Sequence, residues 1–374
     1  MQPPFRSQLI AHALVAALTA IPGFATQQPE TDSSAVLIGP VVKFVSLLVT
    51  VRDKHGQIVR DLTKDDFILQ VDSRPQTIRH FSQETSLPLA MGLLVDTSWS
   101  QREVLDQERN ASRSFLDQMV VQEKDKAFLI HFDREVELLQ DMTSHHEKLE
   151  SALDLLKTAD RERPSDSDDS DSRSGSGHKH GTQLYDAVYL ASNELLKKQT
   201  GRKAVVILSD GVDRGSKTTL ESAIESAQRA DTVVYCIYFA GQREERGQRG
   251  EGGGMGRPGG GWPGGGGGWP GGGGYPGGGG GRRGGGQRPP EEPKVDGKKI
   301  LQRISKETGG RFFEASKKES LGEIYTGIAE ELRTQYSLGF TPDKDGSEEG
   351  YHHLQLQVKR KDMAVQTRVG YYAD

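Results

Sequence analysis

Three short groups of oxygen-bearing side chains carry the chemistry of this chain. Asp96, Ser98 and Ser100 alternate along Asp96-Thr97-Ser98-Trp99-Ser100, Thr182 follows Gly181, and Asp210 stands within Ser209-Asp210-Gly211. Carboxylate and hydroxyl oxygens are the donors that a hard cation takes: Mg first, with Mn or Ca as alternatives. Magnesium holds near-octahedral geometry and keeps several waters, so two or three side-chain oxygens would bind directly and carboxylates could act through water. Asp186 and Asp213 follow closely in sequence and are expected to accept hydrogen bonds around the same centre, or to lie on solvated helix and loop positions. Each group also has a plain structural reading. Asp96 and Ser98 suit a turn or a helix cap, and Asp210-Gly211 suits a simple strand-to-helix turn.

What joins them is their place after strands. Residues 89–95 (LAMGLLV) form a near-continuous apolar run, the mark of a strand covered on both faces, and Asp96 follows directly. Residues 205–208 form a second such run, which ends in Ser209-Asp210-Gly211. Between them Gly181-Thr182 opens a helix with Leu184, Ala187, Val188, Ala191 and Leu195 on one face. Further strands are expected at 127–132, 232–240 and 311–314, and helices at 102–121, 149–156, 216–229, 296–308 and around Leu321–Leu332. Strands alternating with helices predict an α/β fold with a doubly wound, mostly parallel sheet. Ligands in such sheets sit at the carboxyl ends of the strands, where all three groups fall.

Asp96-x-Ser98-x-Ser100, then Thr182, then Asp210-Gly211 after a strand resembles the metal-ion-dependent adhesion site of von Willebrand factor A domains. The resemblance covers roughly 88–240 and 296–340. It implies a Rossmann-like fold in which Ser98, Ser100 and Thr182 ligate the metal directly and Asp96 and Asp210 hold it directly or through water. It further implies one coordination position left for an acidic residue of a protein partner. The flanking segments resemble the von Willebrand A-related proteins first described from Acidobacteria, through 48–81 ahead of the domain and Gln335-Tyr336-Ser337-Leu338-Gly339-Phe340 and Arg368-Val369-Gly370-Tyr371-Tyr372 behind it. Trp99, beside the proposed metal, departs from a minimal site and is read as packing on its loop.

The rest of the chain sets the frame. Val45, Leu47, Val49 and Val51 alternate with other residues, as do Phe67, Leu69 and Val71, and Leu354, Leu356 and Val358 before Val365, Thr367 and Val369. An N-terminal β module (36–86) and a C-terminal β-hairpin (350–374) are expected to complete one β-sandwich-like unit around the central domain (88–340). Residues 1–25 carry Arg6, an apolar run over 9–21 and small residues before Ala25. That pattern predicts a secretory signal peptide, hence a periplasmic or extracellular protein with no transmembrane segment in the mature chain.

Two insertions are expected to be disordered. Residues 160–180 are rich in Asp and Ser, and are read as a solvated loop rather than a gate over the site. Residues 241–293 contain most of the glycine: 27 of the chain's 46 fall in 241–288. Without the strict collagen period, this tract reads as a flexible spacer.

A net charge of −5 argues against a nucleic-acid partner. The single cysteine, Cys236, excludes a disulfide framework and a multi-cysteine zinc site. No Gly-x-Ser-x-Gly, His-Glu-x-x-His or P-loop pattern occurs. His131, on an apolar strand, reads as a satisfied structural histidine. The expected function is therefore a non-enzymatic, metal-dependent binding or adhesion module. An envelope scaffold without functional metal, and a metal-dependent hydrolase using His131 or His178, are the alternatives.

Overall fold

The computed structural model describes residues 44–83, 87–121, 123–157, 181–240, 296–316, 320–343 and 348–373. The expected signal peptide and both insertions lie outside them. Four strands come first: β1 (Val45–Arg52), β2 (Phe67–Val71), β3 (Arg74–Gln76) and β4 (Ile78–Ser82). Then comes the central sheet, made of β5 (Leu89–Asp96), β6 (Lys126–Phe132), β7 (Val136–Thr143), β8 (Arg202–Ser209), β9 (Thr232–Tyr238) and β10 (Phe312–Glu314). Its order is β10-β9-β8-β5-β6-β7, parallel throughout except for β7, which runs antiparallel to β6 at the edge. β7 is not assigned from sequence, because as a half-covered edge strand it mixes polar and apolar residues without a buried face.

Every residue of β5 is buried, as its unbroken apolar run requires. Leu89, Met91, Leu93 and Val95 enter the core on one face and Ala90 and Leu94 the core on the other. Gly92 shares that second face, where an added Cβ would lie 2.2 Å from the ring of Phe128. The first face is covered by α1 (Leu105–Met119) and α2 (His146–Asp154). The second is covered by α3 (Leu184–Tyr189), which continues as a π-helical turn over Leu190–Leu196, and by α4 (Leu220–Arg229) and α5 (Gly297–Thr308). A last helix, α6 (Leu321–Thr334), returns to the first face.

Local signals explain the helix ends. Thr219 caps α4 by accepting from Ser222 N, and Asp296 caps α5 by accepting from Lys299 N. Ser320 and Glu323 form a reciprocal capping box on α6. Gly309 ends α5 at φ +83, a left-handed conformation that glycine adopts without cost from a Cβ.

The chain leaves β5 for β6 on one side and later returns to β8 on the other. The strand order therefore reverses between β5 and β8, which puts the switch point, and the crevice at its carboxyl end, beside Asp96 and Ser209.

The remaining strands are β11 (Tyr336–Phe340), β12 (Gly350–Val358), β13 (Ala364–Gln366) and β14 (Gly370–Ala373). With β1–β4 they build two four-stranded sheets, ordered β13-β1-β11-β4 and β14-β12-β2-β3. A shared core joins the sheets, with Leu47, Val49, Phe67, Leu69, Tyr336, Leu338 and Tyr371 among its members. N- and C-terminal strands thus form one flanking sandwich-like unit.

Two details differ from the sequence reading. Tyr336–Phe340, placed at the end of the central domain, pairs with β1 and β4 inside this unit, with Leu47 opposite Leu338. And 364–366 makes no hairpin with β12. It crosses to pair with β1, leaving β14 to pair with β12, because the short run Ala364–Gln366 fits against Thr50–Arg52. Among the described residues no helix is long and apolar enough to cross a membrane.

Candidate metal centre

Asp96 closes β5 with no exposed surface. Its Oδ1 accepts the backbone N–H of Ser98 at 2.9 Å, which folds the chain back at once, and its Oδ2 accepts the hydroxyl of Ser209 at 2.6 Å. Ser209, at the end of β8, is held in turn because its Oγ accepts Gly211 N–H at 2.9 Å. One carboxylate thereby fastens the ends of β5 and β8 together. Ser98 then leads into the short 3-10 turn Trp99–Gln101, whose Gln101 N–H returns to Ser98 O at 2.9 Å. The turn brings Ser98 Oγ and Ser100 Oγ to 2.9 Å of each other, a hydrogen-bonded pair of hydroxyls.

Asp210 follows Ser209, with its Oδ1 accepting Val212 N–H at 3.1 Å across Gly211 at φ +73. Its charge reaches Asp96. Burial first, and the Asp210 carboxylate second, raise the Asp96 carboxyl to about 7, against the opposing hydrogen bonds of Ser209 and Ser98. Two carboxylates set against each other at a water-poor sheet edge are a place where a cation relieves both burial and repulsion.

Thr182 arrives through its loop. Its carbonyl accepts the N–H groups of Arg214 and Gly215 at 3.0 and 3.2 Å. The next residue, Gln183, donates its backbone N–H to Asp133 O at 2.9 Å and its side-chain amide to Arg134 O at 2.5 Å. The 181–183 segment is thus strapped between the turn after β6 and the loop after β8. Among the described residues no hydrogen bond links the Thr182 hydroxyl to the serine pair.

Asp186 and Asp213 are engaged elsewhere. Asp186 accepts the N–H groups of Lys217 and Thr218 at 2.9 and 2.8 Å, and Asp213 accepts Tyr185 N–H at 3.0 Å and the Ser216 hydroxyl at 2.5 Å. They tie the start of α3 to the 213–218 loop and so support the segment that carries Thr182.

Several participants escaped the sequence reading. Thr97, buried between the two ligand candidates, meets His131 Nδ1 at 3.1 Å, and His131 Nε2 meets Glu137 Oε2 at 3.0 Å. His131 is therefore a satisfied histidine, bonded at both nitrogens. Its partner strand β7 was not legible, so the carboxylate could not be foreseen. Ser209 was read only as part of a turn, yet it is the residue that locks Asp96. Trp99 is 40% exposed, with the Arg102 guanidinium 4.2 Å over its indole, so it stands at the rim instead of packing inward. Cys236 is buried in β9, where burial pushes its thiol up and keeps it out of metal chemistry. Among the described residues no three His, Cys, Asp or Glu side chains gather into a ligand group. The donor set here is hydroxyls plus two carboxylates, and it fits a hard, oxygen-seeking cation.

A doubly wound sheet with hydroxyls and carboxylates gathered at its switch point defines a class of binding domain. The family model of the von Willebrand factor type A domain matches residues 91–213, and the chain carries a domain of that family. Similar solved structures include BatB from Bacteroides thetaiotaomicron, at 13% identity and TM-score 0.38 over 65% of this chain and 97% of that one. An aerotolerance-related membrane protein from Bacteroides fragilis matches at 15% identity and TM-score 0.37, over 65% and 98% of the two chains. Proximal thread matrix protein 1 from the mussel byssus, in a form with its adhesion motif occupied by zinc, matches at 12% identity and TM-score 0.40, over 69% and 48%. No curated protein matches the chain.

Proposed function

We propose that this chain is an exported, non-enzymatic binding module that engages an acidic residue of a protein partner through a divalent cation. Ser98, Ser100 and Thr182 hold the cation, with Asp96 and Asp210 balancing its charge directly or through water. Magnesium suits the donor set best, and manganese or calcium can substitute. When bound, the cation supplies a Lewis-acidic position for a partner carboxylate. The chain's own residues do the rest: Asp96 and Ser209 set the spacing of the two strand ends, and the Gln183 and Arg214 contacts hold the Thr182 loop.

One observation carries the reading. The Ser98 and Ser100 hydroxyls meet at 2.9 Å just past the buried Asp96, whose carboxyl feels the charge of Asp210 from the end of the neighbouring strand. A hydrolase reading meets an obstacle in Thr97. Its hydroxyl lies on the imidazole of His131 in the order carboxylate, imidazole, hydroxyl, but Thr97 is 1% exposed and cannot meet a substrate.

The test is a short N-acetylated aspartyl peptide titrated into labelled protein, followed by NMR at the Trp99 indole and the Ser98 and Ser100 amides. Shifts are expected with magnesium and none with chelator. Equal shifts in both, or none in either, would overturn the reading.

A further inference from the structure

Beyond Asp96 along the chain, two buried side chains carry polar atoms that meet no partner among the described residues. Gln101 closes the 3-10 turn after Ser100, and Glu108 lies two turns further on, in α1. Both residues are 0% exposed. Neither the amide oxygen nor the amide nitrogen of Gln101, and neither carboxylate oxygen of Glu108, has a hydrogen-bond partner. Gln101 belongs to the turn ahead of α1, and Glu108 lies on the face of α1 that also buries Leu105, Ser112, Phe115 and Met119. Further along that face the polar character ends in a satisfied pair, Ser112 Oγ with Tyr325 Oη at 2.8 Å, beneath the stacked rings of Phe115 and Tyr325.

A buried donor or acceptor without a partner costs on the order of 1–3 kcal/mol, and a buried charge costs more. Four such atoms on two buried residues therefore call for a partner that the described side chains do not supply. Water fits: an internal water needs two to four polar partners, which these atoms can offer. The setting adds a reason for a carboxylate in this place. Burial, and after it the field of Asp96, holds the Glu108 carboxyl well above the usual carboxylate range. Among the described residues no basic side chain is paired with Glu108. On the cation reading above, a positive charge at Asp96 would answer it.

We propose that Gln101 and Glu108 line an internal hydrated pocket behind Asp96, and that Glu108, acting through that water, is a further charge-balancing carboxylate of the cation site. The proposal rests on the cation reading above. It makes Glu108 a positioning residue: it touches neither the cation nor a partner, and it acts through water on the charge and placement of Asp96. Groups of this kind around a metal typically change its affinity by about 10- to 100-fold.

The test uses the full chain and manganese alone, titrated by calorimetry, with thermal unfolding of the same samples in chelator. Glu108→Gln keeps the shape and removes the charge; Glu108→Leu removes both and covers the case in which one variant folds poorly. Both variants are expected to bind manganese at least tenfold more weakly than the wild type. Both are also expected to melt a few degrees higher without metal, since the cost of burying a carboxyl has gone. Wild-type affinity in the variants would overturn this proposal alone. So would lower melting temperatures in chelator for both variants, because the carboxyl would then serve the metal-free fold and not the charge of a cation. A wild-type chain that binds no manganese would overturn the cation reading and this proposal with it.

Discussion

Asp96 spends both of its oxygens inside the protein, on Ser98 N–H and the Ser209 hydroxyl, and it has no exposed surface. Its carboxyl is raised from an ordinary 3.8 to about 7 by burial and by Asp210. The sign of the consequence follows from linkage. Between those values the folded, cation-free chain keeps a proton that the unfolded chain has released. Asp96 therefore supports the cation-free fold below about pH 4 and stops doing so as pH rises through about 7. Asp96→Asn retains an oxygen for Ser98 N–H and carries no charge. In chelator at pH 8 this variant is expected to be more stable than the wild type by roughly 2–4 kcal/mol, and the difference should vanish towards pH 4. Urea unfolding at a series of pH values checks it. A cation should reverse the order at pH 8, by stabilising only the wild type.

At the scale of elements, the site depends on how closely the loop after β8 approaches the first residue of α5. Gly211 has φ +73, and a Cβ built on it would lie 2.2 Å from Gly297 O at the start of α5. Gly211→Ala therefore meets both backbone strain and a backbone clash. It is expected to destabilise the chain by about 2 kcal/mol or more and to weaken cation binding by moving Asp210. Denaturant unfolding and a manganese titration of that variant read the two effects separately.

Much of this arrangement was legible beforehand. β5 and β8 announce themselves as apolar runs covered on both faces, and the order Asp96, Ser98, Ser100, Thr182, Asp210 follows the strand ends. What was not legible depends on pairing across the fold. β7 has no buried face of its own, so the Glu137–His131–Thr97 chain stayed hidden. Glu108 falls among Leu105, Ser112 and Phe115 at helical spacing, a polar residue on an apolar stripe, and that signal was there to be read.

Over the whole molecule, the described residues belong to one compact unit, and an ion cluster built on the buried Glu331 joins the von Willebrand factor A fold to the flanking strands. Glu331 of α6 has no exposed surface and is paired with Arg52 of β1 and, at 3.1 Å, with Arg311, while Gln366 of β13 donates to it at 3.2 Å. Arg52 is 18% and Arg311 41% exposed at the side chain, so removing the Glu331 charge leaves a mostly buried Arg52 without its partner while water screens Arg311. Glu331→Gln is accordingly expected to destabilise the chain by roughly 2–4 kcal/mol, seen as a lower melting temperature, without loss of cation affinity. Sequence alternation was enough to bring the two termini into one sandwich-like unit. It could not show that β11 lies between β1 and β4, because a five-residue buried strand looks the same in either unit.

The central claim is that the strand ends of this sheet hold a divalent cation, and a calorimetric titration of manganese into the full chain tests it most directly. The account predicts one manganese per wild-type chain, and binding at least tenfold weaker in both Asp210→Ala and the Ser98→Ala/Ser100→Ala double variant. A wild-type chain that takes up no manganese, or variants that bind it as the wild type does, would contradict the account.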